Sequence, residues 1–215
     1  MCINEKVSMT AFITCTTASI YLFYRNNKYD RWVSIAFFYI GFMQLLEYFM
    51  WIDQECKGLN QISTDLAFWH NIFQPVVSLV LAYIFTRGNI STYIYIPFIL
   101  YLLYSVPKLF RNKKPNRCTK PCTNDSVGLS WEYTNINEKI PFVWLIFTLA
   151  LAMPFLAMPN KGIFYFALIV GTYIISYFIA KSRCPINKNN IPTNGSWWCL
   201  MAAFGPLLAI YVNSK

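Results

Sequence analysis

The sequence predicts an all-α integral membrane bundle of seven transmembrane helices, with a disulfide-tied loop cap on the N-terminal side. Three observations carry that expectation. Of the 215 residues, 56% are hydrophobic and only 13% charged, where a soluble domain carries about 25% charged residues. The apolar residues fall in seven runs of bilayer-spanning length, about 17–25 residues each. The connectors that hold cysteine all lie on one side of the bundle those runs would form.

In chain order the spans are read at 9–24, 32–52, 66–85, 91–106, 140–158, 163–180 and 196–212, making residues 1–215 one polytopic domain. The first could be confused with a signal peptide, but its positive flank (Arg25, Lys28, Arg31) follows the apolar run, so it reads as uncleaved. Thr10, Thr14, Thr17 and Tyr21 share a face of it. That face predicts either hydroxyls bonded back to their own helix or a surface turned to a polar interior. Span two carries Gln44, Glu47 and Trp51 along one stripe, and span three carries His70, Gln74 and Ser78. Pro75 is expected to bend span three. TRGNIS makes a tight turn into span four. The polar loop 108–139, with its cysteines and prolines, reads as an ordered cap and not a free linker. Pro154 interrupts span five, and Gly205-Pro206 interrupts span seven.

Seven spans put the termini on opposite sides; the N-terminal side is called side A. Twelve of the 18 Lys and Arg fall there, which alone would place side A in the cytosol. Seven of those twelve sit in the one long loop, where the charge rule is weaker. The cysteines argue the other way. Cys56, Cys118, Cys122 and Cys184 all lie in side-A connectors, as disulfides in an oxidising compartment would. Sequons at Asn124 and Asn194 share that side, although a third, at Asn89, does not. The reading favoured is an integral multi-pass protein with its N-terminus lumenal or extracellular and its C-terminus cytosolic. With side A cytosolic, the same four cysteines would instead be a weakly spaced zinc set.

Glu47 and the single histidine, His70, each lie about five residues inside the side-A ends of spans two and three, roughly 7 Å deep. Adjacent antiparallel spans would bring them face to face. The expected site is therefore Gln44, Glu47, His70, Asn71 and Gln74, a polar cluster opening to side A. Ionisable groups inside a membrane are costly and by default functional; the bland alternative is a polar pin between helices. Trp51, Trp69, Trp197 and Trp198 map to the same level, as an interfacial belt or an aromatic mouth.

Several classes are excluded or lowered. No lysine lies inside a span to hold retinal, and one histidine cannot build a seven-span zinc hydrolase. Nucleotide motifs and a G-x-S-x-G elbow are absent. The net charge of +9 reads as a lipid head-group partner rather than nucleic acid. Abundant Asn, Ile, Lys and Tyr match the bias of AT-rich genomes, many large DNA viruses among them. No cofactor, resident metal or catalytic residue is expected. The functional expectation is a small transporter, channel or carrier for an unknown small ligand or ion, with Glu47 accepting a proton or cation. The alternatives are a non-transporting scaffold, receptor-like or assembly protein and, last, an intramembrane lipid enzyme. Oligomeric state and substrate are not legible.

Overall fold

A computed structural model describes residues 4–111, 118–121, 128–131, 140–183 and 194–214, without the side chains of 108–111 and 140–143. These form seven helical rods: α1 (Glu5–Arg25), α2 (Asp30–Ile52), α3 (Leu59–Phe85), α4 (Tyr95–Arg111), α5 (Ile140–Ala152), α6 (Gly162–Arg183), and a last rod in two pieces, α7 (Asn194–Ala203) and α8 (Gly205–Val212). Short 3-10 turns lead into α4 (Thr92–Ile94) and out of α5 (Met153–Ala157). α1, α2, α3, α6 and the α7–α8 rod are each long and apolar enough to cross a membrane. Two apolar stretches, Thr92–Pro107 and Trp144–Ala157, are shorter. Among the described residues, the one β element is a two-residue ribbon, β1 (Lys120–Pro121) against β2 (Leu129–Ser130), antiparallel.

The central rod is α2, which packs on α1, α3, α7 and α8. Buried residues therefore surround it: Trp32, Phe37, Ile40, Met43 and Met50 all lie in the main core. α1 can approach closely because Gly41 has no Cβ; one built there would lie 2.3 Å from Cys15 Sγ. The α1 face buried by this contact is Ser8, Ala11, Cys15, Ala18 and Leu22. Of the stripe Thr10, Thr14, Thr17 and Tyr21, Thr14 is half-buried and the other three are exposed on the outside of the bundle, so the polar-interior reading of that face is overturned.

Three features of the rods have physical causes: α3 starts earlier than the sequence reading, and the breaks at Pro154 and at Gly205-Pro206 fall where that reading placed interruptions. α3 starts at Leu59, seven residues before the apolar run. Its first turn is polar but well capped: the Asp53 carboxylate accepts from Lys57 N and Asn60 N at 2.9 Å each, and Gln61 Oε1 accepts from Gly58 N at 2.9 Å. Capping satisfies donors that a helix start otherwise leaves bare. α3 then runs unbroken through Pro75. α5 gives way to a 3-10 turn where Pro154 lacks the N–H that a continuing α-helix needs. The last rod breaks at Phe204, with Gly205 and Pro206 opening α8 as a new N-terminus.

At the end of the bundle opposite side A the rods are clasped by a buried ion pair. Arg25 at the end of α1 meets Asp30 at the start of α2 in a two-pronged contact, Nε–Oδ2 2.7 Å and Nη2–Oδ1 2.9 Å. Arg25 Nη1 also donates to the carbonyl of Ile210 at 2.7 Å, and Asn213 Nδ2 donates to Asp30 Oδ1 at 2.9 Å. Tyr165 of α6 completes the clasp by donating to Asn213 Oδ1 at 2.8 Å. Arg25 and Asp30 are only five residues apart, but sequence periodicity gives no sign of the rest of the clasp, because Asn213 lies 183 positions from Asp30.

Candidate functional site

The side-A mouth is filled by the described part of the long loop. Cys118 is bonded to Cys56, beyond the end of α2. This takes two of the four thiolates of the zinc alternative and leaves that alternative without its ligand set. Cys122 and Cys184 lie outside the described residues, as does Asn124. Beside the disulfide, Asn60 of α3 holds Thr119 by both backbone groups: Thr119 N donates to Asn60 Oδ1 at 2.8 Å, and Asn60 Nδ2 donates to Thr119 O at 2.9 Å. The same Nδ2 also reaches the carbonyl of Met50 at 2.9 Å, at the end of α2. Thr64 Oγ1 donates to Asn60 Oδ1 at 3.1 Å or to Thr119 Oγ1 at 2.9 Å. Asn60, Thr64 and Thr119 are all buried, and burial of such groups is tolerated because they are paired.

The ribbon then carries Leu129 and Trp131 down into the bundle, where Leu129 is fully buried and Trp131 is 3% exposed. The indole packs on Gly195 near the start of α7, so closely that a Cβ there would lie 2.3 Å from the ring. Its Nε1 donates to Glu47 Oε1 at 3.2 Å. Gln44, one turn along α2, donates from Nε2 to Glu47 Oε2 at 2.8 Å. Glu47 is 0% exposed. Each carboxyl oxygen thus accepts from a buried N–H, one on the same helix and one on the loop.

Gln44 and Glu47 come together as expected, but His70 is not the partner across from them. Because α3 begins at Leu59, His70 lies eleven residues into it, about 16 Å from its start. At that level it faces Tyr39 and Phe42. The Tyr39 ring stacks on the imidazole at 4.2 Å between centroids and 22°, and Phe42 tilts against it at 5.7 Å. Tyr39 lies eight residues along α2 from Glu47, about 12 Å deeper. His70 Nε2 is buried and has no hydrogen-bond partner among the described residues. Gln74 follows it one turn on, inside the bundle, with Asn71 buried beside them on α3. The predicted polar cluster is therefore two groups. Gln44 and Glu47 lie under the cap; His70 and Gln74 lie deeper, at the α2–α3 seam.

The aromatic mouth is also corrected. Trp69 is 46% exposed on the outer surface and stacks on Phe73 at 6.3 Å. Trp197 and Trp198 are buried in the bundle, the latter edge-on to Phe147 at 6.1 Å. Trp51 is half-buried against the core. The tryptophan that closes the mouth is Trp131, which sequence reasoning passed over; GLSW, an apolar pair inside a polar loop, was the signal for it. Asn194 is corrected too. It is buried as the first residue of α7, and its Nδ2 lies 3.4 Å from the Tyr173 hydroxyl, so the folded chain has no room for a glycan there.

These features define a helical bundle with several rods long and apolar enough to cross a membrane, in which a disulfide-anchored loop segment packs over a buried acid. More particularly, residues 6–127 match the model of a family of unknown function, DUF5765, and the chain belongs to that family. The match takes in α1 to α4, Glu47, His70 and both bridged cysteines; Trp131 and the last three rods lie beyond it. No curated protein and no solved structure matches the chain.

Proposed function

We propose that the protein is a seven-span integral membrane protein that acts through its side-A cap, as a membrane-anchored binding or assembly module, and not as an open channel. The observation that carries this reading is the loop contact over Glu47: the acid is fully buried, and the indole of Trp131 from the long loop donates to it. Two shorter rods, α4 and α5, complete the seven spans, since a short apolar length is accommodated by local bilayer thinning. Large apolar side chains such as Ile13, Leu103, Ile163 and Phe178 are exposed around the rods, the surface that acyl chains would cover. The Cys56–Cys118 disulfide supports a lumenal or extracellular side A.

A second reading, an occluded carrier, is favoured by the bare polar atoms of His70 and Gln74 deep between α2 and α3, since intramembrane polar groups so often mark a path. Reconstitution separates the two. Proteoliposomes carrying the full chain and a pH-sensitive dye, under an imposed proton or potassium gradient, are expected to show the same flux as protein-free vesicles. Flux above that background, and lost in Glu47→Gln or His70→Ala, would overturn the cap reading in favour of the carrier.

A further inference from the structure

The connectors at the end opposite side A carry charge of nearly one sign. They hold six bases, Arg25, Lys28, Arg31, Arg87, Lys161 and Lys215, and one acid, Asp30. Inside the fold that acid is already committed. Asp30 is 0% exposed and accepts from Arg25 and Asn213, and its Oδ2 also accepts from Asn27 N at 3.0 Å. Arg25 is therefore neutralised within the bundle, and these connectors hold no second acid to balance the other five bases. Around side A, in contrast, the signs mix: Glu5 adjoins Lys6, and Asp53, Glu55 and Lys57 share one connector.

Two of the five bases stand on the rim of the α1–α2 turn. Lys28 and Arg31 are exposed, and neither has an acidic partner among the described residues. Each lies against an aromatic ring: the Lys28 ammonium is 5.1 Å from the centre of Tyr29, and the Arg31 guanidinium 5.2 Å from that of Phe23. A ring face holds a cation in place without cancelling its charge. The turn beneath is held by the Asp30–Asn27 bond, with Asn26 and Tyr29 left-handed at φ 53° and 72°. Trp32 follows at once, stacked on Phe85 at the end of α3 and on Phe155 in the turn after α5, both at 6.0 Å. That packing brings the next two connectors, with exposed Arg87 and half-buried Lys161, to the same end.

The surroundings set the chemistry of the partner. Tyr21, Tyr24 and Tyr83 are exposed close to these rod ends, the residue type that settles at head-group level. A partner must be anionic and must meet the rim where apolar rod surface gives way to charge. Anionic phospholipid does both, since its phosphate lies at that level and attracts Lys and Arg placed there.

We infer that the rim centred on Lys28 and Arg31 binds the phosphate head groups of anionic phospholipids. It thereby seats this end in the leaflet richest in them, the cytosolic one, which matches a lumenal or extracellular side A. This surface rests on the seven-span membrane reading and is independent of what the cap binds.

The test uses the full chain reconstituted in phosphatidylcholine vesicles, with a trace of spin-labelled phosphatidylserine or spin-labelled phosphatidylcholine. Electron paramagnetic resonance reads the share of each probe immobilised on the protein. The parent is expected to favour the serine lipid by about two- to five-fold, within the worth of one charge at an anionic surface. Lys28→Gln with Arg31→Gln is expected to remove most of that preference. Lys28→Arg with Arg31→Lys, which keeps both charges, is expected to retain it, as is Lys57→Gln on side A. Equal immobilisation of the two lipids in the parent overturns the inference and leaves the membrane reading standing. A preference that survives the double glutamine variant also overturns it, because the lipid is then held elsewhere. If neither lipid is immobilised, the membrane reading fails and the inference falls with it.

Discussion

Trp131 donates its indole N–H to Glu47 Oε1 at 3.2 Å, joining the tip of the loop ribbon to the middle rod of the bundle. The bond turns a buried acid into the floor of a cap. Removing the acceptor takes away the bonds that Trp131 Nε1 and Gln44 Nε2 donate to it. Glu47→Ala is expected to cost about 1–3 kcal/mol for those buried donors. Glu47→Gln, which keeps one carbonyl oxygen, is expected to cost less. Thermal unfolding in detergent checks the order.

Asn60 is the second fastening. It serves Thr119 N, Thr119 O and Met50 O at once, and Leu is near its volume with none of its bonds. Asn60→Leu is expected to leave these backbone groups bare, at about 1–3 kcal/mol each before relaxation. With the disulfide intact the loop stays tethered but no longer seated. Limited proteolysis is the check: the variant should be cut within the cap faster than the parent under non-reducing conditions.

At the far end, Asp30 is fully buried and the Arg25 side chain is partly exposed, at 14%. Breaking a buried pair strands a charge, a loss of about 3–5 kcal/mol. Asp30→Ala strands the partly exposed Arg25 and should fall short of that figure, while Arg25→Met with Asp30→Leu together should recover part of the loss. Unfolding in urea or by heat, with both single variants beside the double, reads the difference.

Asp53 gives the fold a pH dependence of known sign. Backbone N–H groups of Asn60 and Lys57, the former the larger effect, hold its carboxyl below the usual carboxylate value. A depressed acid contributes stability that is fully present above its unfolded pKa and is lost as pH falls through the folded one. The cap on α3 should therefore weaken below about pH 4. Melting curves between pH 6 and pH 3 are expected to fall more steeply for the parent than for Asp53→Asn, in which the titrating group is gone.

Much of the fold was legible because seven apolar runs leave little choice of architecture. The pairing of Gln44 with Glu47 was legible as well, because helix spacing fixes neighbours on one rod. The depth of His70 was not. Counting from the apolar run put the start of α3 seven residues late, since Asn60 and Thr64 are polar and yet buried under the loop. Hydropathy marks where a helix can meet lipid, not where capping begins it. The Trp131 contact and the Arg25–Asp30–Asn213 clasp join segments far apart in sequence, and no local pattern encodes them.

The double-mutant cycle on Glu47→Leu and Trp131→Phe tests the seal most directly, because each change removes one end of the same bond. If the loop indole is seated on the buried acid, the two losses of stability fall short of additive by about 0.5–3 kcal/mol. Strict additivity, with each variant simply summing, would contradict a cap latched to Glu47.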